Sequence, residues 1–237
     1  MKKKILYLTA IVMSLLFCGC SADEIQNSII EKASEVQENA QSELIEKVEE
    51  STKDFAMGTT EDGVYKSDFS GLKFTAPADW IFMSQEEIYE LMGYSMDVVG
   101  ENYSEFQKEI ALKASITDMM CQDLTTGENV IIMYENISFY NNVNVKKFTS
   151  EDYIDLLNEN MKNVAEVNIT ELNRENITLG GMDFLKVTYS NEIPSAEYTT
   201  TQIYYVAKMD NYMMSIILSQ GIAEESVDQY ESCFSVN

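Results

Sequence analysis

Histidine does not occur among the 237 residues. Its absence excludes Ser-His-Asp and Cys-His hydrolases and every histidine-ligated zinc or iron centre. Cysteine is nearly as scarce. The four present are Cys18, Cys20, Cys121 and Cys233, and only the last two fall in the part that reads as folded, which excludes a disulfide scaffold. Cys121 and Cys233 form either one bridge in an oxidising exterior or two buried thiols, and the second is the expectation. Basic residues are few: 16 Lys and Arg stand against 40 Asp and Glu, a formal net charge of −24. Such a chain repels phosphate backbones and anionic headgroups, so no nucleic acid is expected as a partner. A protein partner is expected to present a basic surface.

The motifs that announce chemistry are also missing. There is no G-x-S-x-G, no phosphate loop, no EF-hand loop and no Cys-x-x-Cys. No catalytic, metal-ligating or cofactor-binding residue is therefore assigned, and the chain is not expected to be an enzyme. Carboxylate pairs such as Glu86-Glu87 and Glu224-Glu225 read as solvated helix faces, because pairs are unavoidable among 40 acids. Asp118 stands apart. It precedes Met119-Met120-Cys121 in a strand-like run, and a carboxylate in apolar surroundings needs a partner.

What is present begins with the leader. Lys2, Lys3 and Lys4 precede an apolar run from Ile5 to Phe17, and Gly19 sits directly before Cys20. A basic start, a short apolar core and a small residue at the cleavage point make a secretory signal over residues 1–19. The run is shorter than the roughly 20 residues that span a bilayer. Its end, Leu16-Phe17-Cys18-Gly19-Cys20, resembles a bacterial lipobox, with Phe17 where leucine is commoner and Cys18 as an unusual small occupant. The resemblance implies a diacylglyceryl thioether on Cys20, which becomes the first mature residue and anchors the chain to the membrane. It places the protein on the outer face of the cytoplasmic membrane of a Gram-positive-type bacterium. The Asn-X-Ser/Thr triplets at Asn102, Asn136, Asn168 and Asn176 then carry no glycosylation meaning.

Residues 20–61 read as an acidic stalk. Ile25, Ile29, Ala33, Val36, Ala40, Leu44 and Val48 make one narrow helical stripe, with charges between them. So thin a stripe leaves a lone helix marginal, so a tether or frayed helix is favoured over a coiled coil. The globular domain is expected over 62–237. Leu72–Thr75 and Trp80–Phe82 read as a hairpin turned at Pro77–Asp79. Ser84 and Glu87 form a capping box for a helix with Ile88, Leu91 and Met92 inward and Gly93 as its stop. A second helix carries Tyr103, Phe106, Ile110 and Ala114. Strands at 116–124 and 129–137 flank Thr125–Glu128. A helix capped near Thr149 or Ser150 turns Tyr153, Leu156, Leu157, Met161 and Val164 inward. Strands follow at 167–172, 177–179, 183–190, 199–209 and 212–219, with Gly180-Gly181 and Asp210-Asn211 as tight antiparallel turns. The runs at 203–207 and 213–218 lack alternation, as strands covered on both faces do. The expected fold is therefore α+β, a three-layer α/β/α sandwich around a central antiparallel sheet, closed by a helix over 223–232.

This order of elements resembles the PsbP-like fold. The residues that carry the resemblance are Gly71 to Trp80, Thr126-Gly127-Glu128-Asn129-Val130, Leu179 to Phe184, and the tyrosine-rich hairpin around Tyr204-Tyr205 and Asn211-Tyr212. It covers about residues 64 to 235. The fold is known from an extrinsic oxygen-evolving protein of photosystem II, from a Ran-binding nuclear-transport factor and from bacterial lipoproteins. That resemblance implies binding or assembly roles without shared catalytic residues. The leading expectation is accordingly a non-catalytic protein-binding or assembly module. The alternative is a small-ligand or cell-wall glycan receptor whose cleft is lined by Tyr134, Tyr140, Tyr189, Tyr198, Tyr204, Tyr205 and Tyr212. For these tyrosines core filling is the simpler expectation.

Overall fold

The computed structural model describes residues 46, 49–50, 52–91, 114–139, 143–161, 167–194, 198–221 and 226–236. Cys20, the leader and most of the stalk lie outside these residues. So do Met92-Gly93, Tyr103, Phe106, Ile110, Tyr140, Val164 and the beginning of the expected last helix.

The chain folds as an α+β protein dominated by two antiparallel sheets. The strands are β1 (Thr59–Glu61), β2 (Val64–Lys66), β3 (Leu72–Thr75), β4 (Ile81–Phe82), β5 (Ser115–Gln122) and β6 (Asn129–Asn136). They continue with β7 (Asn168–Leu179), β8 (Met182–Ile193), β9 (Tyr198–Met209), β10 (Tyr212–Ser219) and β11 (Phe234–Val236). The large sheet has the order β4-β5-β6-β10-β9-β8-β7 and the small one β1-β2-β3-β11.

Both faces of the large sheet are buried, and side-chain alternation divides them. Tyr212, Met214, Ile216 and Leu218 of β10 join one core, whereas Met213 and Ile217 join the other. Strand β6 does the same, with Val130, Ile132 and Tyr134 on one side and Ile131 and Met133 on the other. Apolar residues on both sides erase the polar half of the alternation, which explains the unbroken runs. A one-residue slip of β10 between β6 and β9 would exchange the two sets, so the register is held from both faces.

The two faces have different covers. The helix Ser150–Met161 buries Tyr153, Ile154, Leu157 and Met161 against the first core. The second core is closed by the small sheet through Tyr65, Leu72, Phe74 and Phe234, and by Val227 of the 3-10 turn Val227–Cys233. Among the described residues a sheet and not a helical layer therefore closes that face, a departure from the expected α/β/α sandwich.

Further differences have local causes. Leu72–Thr75 and Trp80–Phe82 are not a hairpin: β3 pairs with β2 and β11, and β4 pairs with β5. Between them the chain crosses from one sheet to the other, with Asp79 at φ 69°. The expected strands at 167–172 and 177–179 are one strand, β7, with a bulge between Glu171 and Asn173. The described part of the expected last helix is the 3-10 turn Val227–Cys233, followed by β11.

The domain also starts earlier than residue 62. Strand β1 spans Thr59–Glu61, and Phe55 stacks on Phe69, Tyr134 and Tyr212 at ring-centroid distances of 4.9, 4.9 and 5.5 Å. Residues 55–61 thus belong to the fold and not to the stalk. Asp62 and Gly63, both at positive φ, are the β1–β2 turn and not a domain boundary.

Candidate functional site

A groove of about 940 Å³ lies between the helix Ser150–Met161 and the outer strand β7. Its construction starts at the helix N-terminus. The Thr149 backbone N–H and hydroxyl both donate to Asp152, at 2.9 and 2.7 Å, and the Asp152 N–H donates back to the threonine hydroxyl at 3.2 Å. This reciprocal cap fixes where the helix begins and hence the rotation of its faces. With Tyr153, Ile154 and Leu157 turned to the core, residues at spacings of three and four are left toward the groove: Asp152, Asp155, Leu156 and Glu159.

The opposite wall is β7, through Asn168, Ile169 and Glu171. Tyr189 of β8 forms part of the floor and is 1% exposed. Leu156, Ile169, Val167, Val143 and Phe148 pack against the first core from the groove side. The groove therefore has an apolar floor and a charged rim.

One hydrogen-bonded chain holds the walls together. The Tyr189 hydroxyl donates to Asn158 Oδ1 at 2.8 Å, and Asn158 Nδ2 donates to Glu171 Oε2 at 2.6 Å. Arg174 then grips Glu171 in a fork, Nε to Oε1 and Nη2 to Oε2, both at 2.8 Å. Its Nη1 donates to Glu151 at 2.7 Å and to Asp155 at 2.8 Å, which straps β7 to the helix. The Arg174 hydrogen bonds hold the Glu171 carboxyl below the usual glutamate range, and burial pushes the Tyr189 hydroxyl up. Among the described residues that line the groove are four carboxylates, from Asp152, Asp155, Glu159 and Glu171. The groove can seat apolar groups and attract cations. Tyr189, Asn158, Glu171 and Asp155 are held in one network with Arg174.

A second opening, of about 670 Å³, lies at the other end of the helix around Thr149, Ser150, Thr178 and Asp183. The Lys208 ammonium on its wall donates to the carbonyls of Val145 and Phe148, so that cation serves the preceding loop.

Asp118 is the bulged residue of β5, where the register shifts between Thr117 and Met119. The bulge aims its carboxylate at the small sheet, where it accepts the Tyr65 hydroxyl at 2.6 Å and the Gly58 N–H at 2.7 Å. Asp118 is 3% exposed, and burial raises its carboxyl. It is a strut between sheets and lines neither opening. Cys121 and Cys233 are both free thiols, Cys121 buried and Cys233 half-buried against the same core. Tyr134, Tyr189, Tyr204, Tyr205 and Tyr212 are core residues. Trp80 is half-buried and stacks on Tyr230 at 4.7 Å.

The groove itself was not singled out. Its one sequence signal is the run of acids at 152, 155 and 159, a helical spacing opposite the apolar stripe. The strand half lies across the helix–β7 connection, and no local pattern links it to the helix. Among the described residues no group of three or more Cys, Asp or Glu side chains is arranged to hold a metal ion.

No family model matches this chain, and no curated protein does. Among solved structures it is similar to the solution structure of cyanobacterial PsbP (CyanoP) from Synechocystis sp. PCC 6803, at 16% identity and a TM-score of 0.45, over 78% of this chain and 99% of that one.

Proposed function

We propose that this chain is a lipid-anchored, extracytoplasmic, non-catalytic protein-binding or assembly module with a PsbP-like domain. Its anchor is Cys20, and its place is the outer face of a Gram-positive-type cytoplasmic membrane. Among the described residues no helix is long and apolar enough to cross a membrane. The address rests on the leader and on Gly19-Cys20. The PsbP-like reading rests on the turn and core motifs.

The observation that carries the binding role is the open groove with an apolar floor and an acid rim, on a chain of net charge −24. Such a surface attracts a basic partner at long range and retains it by short-range packing. The glycan-receptor reading draws less support, because stacking on sugars needs exposed ring faces. Among the described groove residues Phe148 and Tyr189 are aromatic, and Tyr189 is buried.

Affinity capture from native membranes, with the lipidated protein as bait, tests this reading. A captured protein with a basic contact surface, whose association slows several-fold from low to physiological salt, is the expected result. Salt-independent association, or capture of glycan alone, would overturn it. The anchor is tested separately by Cys20→Ser, which should abolish metabolic labelling with an alkynyl fatty acid.

A further inference from the structure

We infer that the outward face of the small sheet docks an acidic helix of a partner protein, with Lys66 and Lys73 as the contacts. This goes beyond the basic partner proposed above, since it concerns a separate surface of the opposite sign.

Strand alternation sets the face. Tyr65, Leu72, Phe74 and Phe234 turn into the core, so Lys66, Lys73 and Ser235 turn away from it. Pairing places Thr59 opposite Lys66, Lys66 opposite Lys73, and Lys73 opposite Ser235, one row across all the strands of the sheet. Thr59, Lys66 and Ser235 are exposed, and Lys73 is half-buried. Like charges directly opposite one another on neighbouring strands are destabilising. The chain has 40 acids, yet among the described residues neither lysine forms an ion pair or a side-chain hydrogen bond. Glu61 shares the face, but it stands opposite Val64, diagonal to Lys66, and does not pair with it. The two ammonium groups are a cation doublet kept open at a cost to the fold.

The dimensions favour a helix as the occupant. Strands about 4.8 Å apart make the row about 14 Å long, the length of about nine helical residues. The strands have three or four residues, about 10–13 Å, which is the width of one helix. Directly opposed Cβ atoms stand about 5 Å apart, as do helical residues at a spacing of four. Same-side residues of an extended segment are about 7 Å apart, a looser match. The chemistry narrows the partner further. A flat, open face does not enclose a small ligand. A nucleic acid or other long polyanion would extend past the doublet and meet the net charge of −24. Two carboxylates on one turn of a protein helix need reach only Lys66 and Lys73. The hydroxyls of Thr59 and Ser235 flank the doublet and offer polar contacts at the ends of the row.

The test uses the isotope-labelled full chain, read by amide NMR, and alanine-rich helical peptides titrated to millimolar concentration. One peptide carries Glu-Ala-Ala-Ala-Glu, a second has the same two acids as Glu-Ala-Glu, and a third carries Gln-Ala-Ala-Ala-Gln. The first should shift the signals of Thr59, Lys66, Lys73 and Ser235. The second, equal in charge, should bind several-fold more weakly because its carboxylates diverge around the helix. The third should not bind. Lys66→Gln combined with Lys73→Gln should abolish the shifts. Lys146→Gln, at an exposed lysine outside the small sheet, should leave them unchanged. Lys66→Glu should abolish binding and raise the Tm by about 1–3 °C, because a repelling pair becomes an attracting one. A lowered Tm would mean that the doublet serves the fold, and would overturn the site. Equal binding of the two acidic peptides, or shifts that survive the double substitution, would overturn it too. So would the absence of any peptide binding, as when a second copy or another part of this chain covers the face. Shifts on this face with phosphatidylglycerol vesicles, and none with peptide, would assign it to a membrane and overturn the protein partner. Each of these failures leaves the capture of a basic partner standing as a separate result.

Discussion

The Gly58 backbone N–H donates to the Asp118 carboxylate at 2.7 Å across 60 residues of sequence. The contact is close enough to require glycine: a Cβ at position 58 would lie 2.3 Å from the Tyr65 ring. Asp118 accepts the Tyr65 hydroxyl as well, so one bulged carboxylate ties the chain entering the domain to both sheets.

Truncation should show this directly. A chain beginning at Thr52 retains Phe55, Gly58 and β1 and is expected to melt as cooperatively as the full protein. A chain beginning at Asp62 loses the Phe55 packing and one partner of a buried carboxylate. Losing the two should cost about 3 kcal/mol or more, with a lowered and broadened thermal transition. Identical melting of the two truncations would return residues 52–61 to the stalk.

Local chemistry made much of the large sheet legible beforehand. Gly180-Gly181 and Asp210-Asn211 stand where the β7–β8 and β9–β10 hairpins turn, with Gly180, Gly181 and Asp210 all at positive φ. Strand β10 has the expected bounds, because Asn211 and Gln220 bracket an apolar run. The Ser84–Glu87 capping box is formed, with Glu87 accepting the Ser84 N–H at 2.8 Å. The small sheet was hidden for a physical reason. Strands β1, β2 and β11 have three residues each, too few to show a period, and their partners are distant in sequence. Gly180 illustrates the difference. Its turn was readable, but the backbone of Ser235 that would lie 2.9 Å from a Cβ there was not. For the groove, only the acid spacing on the helix was readable.

Asp118 also predicts an acid-range signature. Burial raises its folded value, opposed by hydrogen bonds from Tyr65 and Gly58. The unfolded chain therefore ionises first, at about 3.9. From there up to the raised folded value, this group makes stability fall as pH rises. Asp118→Asn removes the titration and leaves either Tyr65 or Gly58 short of an acceptor, a cost of about 1–3 kcal/mol. Urea unfolding should find the Asn penalty greatest below the ordinary aspartate value and shrinking as pH increases. A penalty independent of pH would mean that Asp118 is not perturbed.

Arg174 should behave in the opposite sense. Its fork holds Glu171 below the ordinary glutamate value, so the stabilisation is fully present above about 4.3 and is lost as pH falls through the lowered folded value. The Arg174 side chain is 23% exposed and Glu171 28%, which limits the contribution to about 1 kcal/mol. Arg174→Ala should cost that much at pH 7 and little in strong acid. Arg174→Lys should not restore it, because an ammonium cannot reproduce the two-pronged contact. Full rescue by lysine would reduce the strap to a simple charge effect.

The two remaining thiols should separate by reactivity. Cys121 is 0% exposed, and its thiol is pushed up to about 12, chiefly by burial, with Cys233 adding to the rise. At pH 8 its thiolate is then about one part in ten thousand. Cys233 ends the 3-10 turn at the edge of the same core, where burial raises its thiol too but leaves the residue half-buried. Iodoacetamide is expected to modify Cys233 slowly in the native protein and Cys121 only along the urea unfolding transition, as peptide mass spectrometry would resolve. The same shift makes stability fall as pH climbs from about 8.5, the ordinary thiol value, toward the folded value, because the unfolded thiol ionises first. Cys121→Ala should remove that alkaline slope while costing stability through the void it leaves. Native labelling of Cys121 at the rate of Cys233 would mean that the C-terminal turn opens off the core. Failure of both to label in unreduced, urea-unfolded protein would mean that they are bridged.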